Sequence, residues 1–256
     1  MTTKIALTFW GTQKYLDFLP QWYGRLEKYF LPNDPDGEGD YYVDLEKHYF
    51  VFTDGELNDA PDNVTKMPKP HYGFPKTYHK TFVEMFKLED KVADYDWLVS
   101  VDADLYAWEM IQYMDFFDDS KKYFGVHHPC HKVGFRPHSQ SPGAYDVNPL
   151  SNAYIDDSIM DMSIYYQGCL WGGKIPYVFD MMRQIDKWTK EDVEKDVQAR
   201  FYEESYMNKW FLTHREETHT VPPDYAYPEM FKDYCQFPNK MMHLAKDNKE
   251  LDNNQW

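Results

Sequence analysis

The sequence predicts an α/β fold in which a mostly parallel central sheet is flanked by helices. Short apolar runs closed by turn residues alternate along the chain with stretches of helical spacing, and neither a repeat nor a linker interrupts the alternation. The length of 256 residues and a hydrophobic fraction of 43% are enough to bury one substantial core.

The first run, KIALTFWG, ends at Gly11 and reads as a buried strand. Residues 15–30 carry Tyr15, Leu16, Leu19, Tyr23, Leu26 and Phe30 at helical spacing, interrupted near the start by Pro20. The segment 33–40, NDPDGEGD, has the chemistry of a surface turn. A second strand is expected at 48–54 and a short third at 63–67. Residues 77–94 follow a helical pattern, with Tyr78, Phe82, Met85, Phe86 and Val92 on or near one face. Strands are expected again at 97–102 and 122–128, and 129–148 reads as a long loop. Two more helices are expected between 175 and 212, the first carrying Val178, Met181, Met182, Ile185 and Trp188.

Charge narrows the partners. A formal net charge of −16 repels nucleic acid and anionic membrane, so neither is expected to bind. It repels a nucleotide diphosphate too, and a divalent cation would offset that repulsion. The aromatic fraction of 18% supplies core volume together with stacking platforms for bases and sugar rings. Three well-separated cysteines form no disulfide framework, which suits a reducing compartment. No stretch has the roughly 20 apolar residues of a membrane span, and the first residues lack the apolar core of a signal peptide. A cytoplasmic protein without membrane insertion is the resulting expectation.

Four constellations could carry chemistry. In VSVDADLYAW, Asp102 and Asp104 follow an apolar strand one residue apart. On extended backbone both carboxylates point to one side and can converge on a hard cation, although D-x-D strings also occur as solvated turns. In YYQGCLWGG, the glycines at 168, 172 and 173 suggest a bulge or a close backbone approach. A phosphate loop is the rival reading there, without the lysine and spacing of that motif. In FYEESYMNKWF, Glu203 and Glu204 open a helical run, where acidic residues also favour the helix dipole. In HHPCH, the residues His127, His128, Cys130 and His131 cluster, but their spacing matches no standard zinc site.

Taken in order, these pieces resemble glycosyltransferase family 6, the family of the blood-group A and B transferases and α-1,3-galactosyltransferase. The resemblance runs from about residue 5 to about residue 249. It implies a GT-A type nucleotide-diphospho-sugar transferase fold in a single catalytic domain over 1–256. About 1–104 would bind the nucleotide; 105–256 would bind donor sugar and acceptor and end in a mobile tail. The implied activity is retaining transfer of a hexose or N-acetylhexosamine from a UDP-sugar to a glycan acceptor, forming an α-1,3 linkage, with Mn²⁺ or another divalent cation on the diphosphate. A UDP-sugar-binding protein of weak activity and an unrelated metal-dependent hydrolase are the alternatives.

By the same resemblance, IALTFWGTQKY lines the base and ribose with Trp10, Gly11 and Thr12 and stacks Tyr15 on uracil. Lys80 of FPKTYHKTF contacts the nucleotide at a position the family usually fills with arginine. VDADL supplies the metal ligands Asp102 and Asp104, with Ala103 beside the nucleotide. Gln167, Gly168, Cys169 and Glu203 face the donor sugar, and Glu204 is the catalytic carboxylate. His128, Tyr202 and Tyr225 contact the acceptor. Lys249, with Lys246, reaches a phosphate when the tail folds over UDP.

Overall fold

The computed structural model describes residues 2–32, 43–129, 144–235 and 237–246. The chain opens with β1 (Thr3–Trp10), whose side chains alternate between two cores. Ile5, Leu7 and Phe9 enter one cluster with Trp22 and Leu26, while Ala6 enters the other with Phe82, Met182 and Phe211. A strand covered on both faces is apolar throughout, which is why the run shows no polar alternation.

After β1 the chain makes a 3-10 turn at Gln13–Phe18 and then helix α1 (Leu19–Tyr29). The helical stretch expected at 15–30 divides where Pro20, which has no N–H to give, occupies the first turn of α1. At the other end of α1 the nearly buried Lys47 ammonium donates to the carbonyls of Leu26 (3.0 Å), Glu27 (3.3 Å) and Phe30 (3.0 Å). Carbonyls of the last helical turn lack a full set of intrahelical donors, although Leu26 also accepts from the Phe30 N–H (3.1 Å), and a cation there answers the helix dipole as well.

Next come β2 (Leu45–Thr53), β3 (Val64–Pro68) and α2 (Lys76–Met85). Helix α2 passes into a 3-10 turn at Phe86–Lys91, so the helix expected to reach 94 tightens at its end. Buried Phe82, Met85 and Leu88 recur every three residues, and a three-residue turn keeps Met85 and Leu88 on one face. β4 (Trp97–Val101), β5 (Leu105–Ala107), the short α3 (Tyr113–Phe116) and β6 (Tyr123–His127) follow. β7 (Tyr166–Lys174), α4 (Tyr177–Glu194) and α5 (Tyr202–Thr213) come next among the described residues. The last strands are β8 (Thr218–Val221), β9 (Tyr227–Pro228) and β10 (Met241–His243).

Seven strands form one sheet in the order β3-β2-β1-β4-β7-β6-β8. The pairs β1–β2, β1–β4, β2–β3 and β6–β8 are parallel, and β7 alone runs against its neighbours β4 and β6. The fold is therefore α/β with a mostly parallel sheet and helices on its faces, consistent with a GT-A architecture. From β1 the chain moves outward to β2 and β3, then returns to place β4 on the other side of β1. A crevice opens at such a reversal, beyond the carboxyl ends of the strands. β5, β10 and β9 make a second, small sheet over that end. Among the described residues no helix is long and apolar enough to cross a membrane.

Gly172 is where β4, β6 and β7 leave no room for a side chain. A Cβ there would lie 2.0 Å from the Leu98 carbonyl oxygen and 2.6 Å from the Phe124 ring. Gly24, inside α1, has nothing within 4 Å. Gly172→Ala is therefore expected to lower stability by roughly 3 kcal/mol or more. Gly24→Ala should leave it unchanged or raise it by up to about 1 kcal/mol. Urea unfolding of both variants checks this, and equal midpoints would contradict the packing described.

Candidate active site

A cleft of about 1060 Å³, counted out to its open mouth, lies beyond the ends of β1 and β4. Trp10, Gly11, Thr12 and Tyr15 line it from the end of β1, and Ser100, Asp102, Ala103 and Asp104 from the end of β4. Helix α2 contributes Thr77, Tyr78 and Thr81, while Gly168, Glu203 and Lys246 complete the wall. The Trp10 ring stacks flat on Phe52, with centroids 4.2 Å apart, which fixes an aromatic floor for the cleft.

Asp102 and Asp104 do not lie on extended backbone. The Leu105 N–H donates to the Asp102 carbonyl (3.0 Å), closing a turn between β4 and β5, and Trp22 Nε1 donates to the same carbonyl (3.1 Å). Their carboxylates meet through the turn rather than through strand alternation. A third group joins them: the ligand atoms of Asp102, Asp104 and His243 lie within 4.8 Å of one another. His243 arrives because β10 pairs antiparallel with β5, setting His243 opposite Leu105. Two carboxylates and an imidazole at this spacing fit a divalent transition metal.

Asp104 is nearly buried, yet two basic groups reach its Oδ2: Lys246 Nζ at 2.5 Å and His243 Nε2 at 3.1 Å. Burial alone would push the Asp104 carboxyl up, but the charges and hydrogen bonds of His243 and Lys246 hold it well below the usual range. Asp102 lacks those close partners, and burial together with the Asp104 charge pushes its carboxyl up.

On the opposite wall, residue order explains the acidic pair. The Asn208 side chain clamps the backbone of Tyr166: the Tyr166 N–H donates to Oδ1 (2.8 Å) and Nδ2 donates to the Tyr166 carbonyl (2.7 Å). One turn earlier on α5, Glu204 is thereby held against β7. Tyr165 Oη donates to its Oε1 (2.7 Å) and the Gly168 N–H to its Oε2 (2.7 Å). A Cβ at Gly168 would lie 3.3 Å from Oε2, so glycine admits the carboxylate. Burial raises the Glu204 carboxyl to about 7 against the lowering effect of those two hydrogen bonds. Glu203 faces the cleft with a buried Oε2 that has no hydrogen-bond partner, and burial, then Glu204 and Asp102, push its carboxyl up.

The remaining residues expected at the site divide. Tyr202 sits at the rim with φ 48°, a left-handed conformation costing on the order of 1–2 kcal/mol, and its ring stacks on Tyr78 with centroids 5.0 Å apart. The His128 N–H donates to the Tyr165 carbonyl (2.7 Å), and its ring meets the edge of the Tyr165 ring. Gln167 Nε2 lies 3.3 Å from His243 Nδ1, beside the cation cluster.

Three of the expected residues lie away from the open cleft. Lys80 is not in the cleft wall: it sits in a shallow groove with His79, Thr189 and Val193, because Thr77, Tyr78 and Thr81 occupy the cleft face of α2. Cys169 is buried in the core. The register between β6 and β7 shifts from Gly125↔Trp171 to Val126↔Gln167, and within that bulge Gly168 faces the cleft while Cys169, its neighbour, faces the core. Tyr225 is 1% exposed, packs on Phe116 and donates to the Asp115 carbonyl (3.1 Å), so its ring has no free face for an acceptor. Lys249, Cys130 and His131 lie outside the described residues. His127 and His128 join no metal-ligating group among the described residues.

Sequence reasoning missed Lys69, Tyr165 and His243. Lys69 is nearly buried and lines the cleft, its Nζ 5.8 Å from the Trp10 ring centroid. Its position one residue beyond β3, at the carboxyl end of a parallel strand, was the available signal. His243 lies in a three-residue strand that shows no periodicity of its own.

Comparison with known proteins adds a family. The profile of glycosyltransferase family 6 matches residues 81–254, more than half of the chain. The chain is 23% identical over 257 residues to histo-blood group ABO system transferase 2 of Rattus norvegicus, covering 95% of this chain and 69% of the relative. It is 24% identical to the O-antigen biosynthesis glycosyltransferase WbnI of Escherichia coli, with 86% of each chain covered. It is 23% identical to globoside alpha-1,3-N-acetylgalactosaminyltransferase 1 of Mus musculus, over 90% of this chain and 62% of the relative. The chain thus spans about two thirds of the length of the rat and mouse relatives.

The raised Glu204 carboxyl has a consequence for stability. The folded chain binds this proton more tightly than the unfolded chain, so stability from this group falls as pH rises from about 4.5 to about 7. Glu203 acts with the same sign. Asp104, whose carboxyl is lowered, loses its contribution only at more acidic pH. Glu204→Gln removes the first effect, so its melting temperature relative to the parent should rise between pH 5 and pH 8. Thermal melts across that range check this, and parallel profiles would refute it.

Proposed function

This chain belongs to glycosyltransferase family 6, and on that premise we propose that it transfers a hexose or N-acetylhexosamine from a UDP-sugar to a glycan acceptor, with retention and an α-1,3 linkage. The observation that carries the reading is the convergence of Asp102, Asp104 and Glu203 on one aromatic-lined cleft at the strand reversal, with Glu204 bonded to Gly168 of its wall. In this reading residues 1–104 hold the nucleotide and 105–256 hold the donor sugar and acceptor in one catalytic domain.

Trp10 and Tyr15 offer stacking surfaces for the base, and Gly11 lets the ligand lie against the backbone. The diphosphate would enter a cleft already rich in carboxylates, so its charge needs a positive counterpart there. Asp102 and Asp104, with His243 beside them, would hold Mn²⁺, which supplies Lewis-acid stabilisation of the departing diphosphate. Lys246 sits at the same point and would turn from Asp104 to a phosphate oxygen. Glu203 offers its unpartnered oxygen to a hydroxyl of the donor sugar. Glu204, held by Tyr165 and Gly168, supplies the negative charge that answers the positive charge growing at the anomeric carbon.

UDP release from a panel of UDP-sugars, with Mn²⁺ and with EDTA, tests the proposal. Metal-dependent release from one or two donors is expected, faster with a glycan acceptor present. Asp104→Asn should abolish the metal response. Glu204→Gln should lose at least about a hundredfold in turnover while keeping UDP affinity. Bound UDP without release from any donor would overturn the enzyme assignment in favour of a binding protein. Full turnover in EDTA would overturn the role of the two aspartates.

A further inference from the structure

Asp104 Oδ2 holds a lysine ammonium at 2.5 Å and an imidazole nitrogen at 3.1 Å on a carboxylate that is 2% exposed. The ligand atoms of Asp102, Asp104 and His243 lie within 4.8 Å of each other, and ligands opposed across a divalent cation are about 4–5 Å apart. The ammonium therefore occupies the Asp104 oxygen that a divalent cation held by this group would use.

Gln167 supplies a second, independent observation. Its Nε2 lies 3.3 Å from His243 Nδ1, while its Oε1 is buried without a hydrogen-bond partner. With the amide in this orientation Nδ1 accepts and the ring proton sits on Nε2, the nitrogen 3.1 Å from Asp104 Oδ2. Rotating the amide by half a turn exchanges its two ends. The orphaned oxygen then accepts from Nδ1–H, and Nε2 presents its lone pair toward the two aspartates. Both hydrogen-bonding states of one Gln–His pair are thus available without moving the backbone.

We infer that His243 Nε2 is the third protein ligand of the cation, oriented by Gln167, and that Lys246 is a tethered ammonium that holds the cation's place on Asp104 until the cation displaces it. The inference rests on the cation-dependent reading of the site given above. One nitrogen with two carboxylates favours Mn²⁺ over Mg²⁺ or Ca²⁺, which prefer all-oxygen sites. Lys246 has opposite effects in two states. Without nucleotide it competes with the cation. With UDP bound it moves to the diphosphate and supports the same cation through the phosphate it neutralises.

Mn²⁺ binding to the full chain, read from the paramagnetic resonance signal of the free ion, tests this without any turnover. Measurements are made without nucleotide and with saturating UDP. His243→Ala and His243→Asn should each weaken Mn²⁺ by about tenfold or more in both conditions and affect Mg²⁺ competition less. Gln167→Leu should weaken it in the same direction by about tenfold. Lys246→Met should bind Mn²⁺ about tenfold more tightly without nucleotide, because the competing state is removed, and more weakly than the parent with UDP. Parental affinity in both His243 variants, or no reversal of sign in Lys246→Met, would overturn the inference. Asp104→Asn separates the two levels. If it loses Mn²⁺ while the His243 variants do not, the inference alone fails; if it too binds as the parent does, the cation-dependent reading of the site fails.

Discussion

Like charges brought together in a poorly solvated place must be neutralised, protonated or separated, and the architecture of this chain turns on that constraint. Asp102, Asp104 and Glu203 line one cleft, and Glu204 stands against Gly168 in its wall. They are met in three ways: Asp104 by His243 and Lys246, Glu204 by Tyr165 and a backbone N–H, Asp102 and Glu203 by carboxyls pushed up toward the protonated form. A site assembled this way is incomplete toward positive charge. The net charge of −16 on the whole chain acts in the same direction, since it repels an approaching anion.

The fold meets the constraint with its least regular parts. The central sheet supplies rigid strand ends, but the groups that decide the electrostatics come from a turn, a bulge and a small second sheet. The turn after β4 aims both aspartates together, and the bulge in β7 opens the backbone N–H of Gly168 to Glu204. The pairing of β10 with β5 draws the end of the described chain across the cleft, bringing His243 and Lys246 with it. Asn208 and Ser205 explain why the acidic pair stands in the company of E-S-x-x-N. Asn208 fixes α5 to β7, and Ser205 Oγ accepts from the Phe201 N–H at the start of the helix (2.9 Å).

Local sequence chemistry and site membership part company in instructive places. Lys80 and Tyr78 are two residues apart on one helix, and the cleft takes only Tyr78, because α2 turns about 100° per residue. Cys169 and Gly168 are adjacent, yet one lies in the core and the other in the cleft wall, as alternation dictates, whereas the bulge breaks alternation one step later, where Cys169 and Leu170 enter the same core. Tyr225 carries a polar tip of the kind that contacts sugars, but Lys240 and the Asp115 carbonyl already engage its hydroxyl in the interior.

What the sequence determined by itself was the α/β class, the strands β1, β2, β3, β4 and β6 to within a few residues, and the helices between 175 and 212. These elements bury continuous apolar runs or one apolar helical face, so their periodicity is written locally. The D-x-D pair and the two adjacent glutamates were legible for a similar reason: each is a short string whose members are chemical neighbours in the chain. Tertiary structure alone decided that these two strings, a hundred residues apart, meet at one cleft, and that Lys69 and His243 join them while Lys80 and Tyr225 do not. A three-residue strand such as β10 carries too little pattern to announce itself, and it forms because β5 offers it a partner. Charge neutralisation across such distances is a property of the folded sheet rather than of any stretch of sequence.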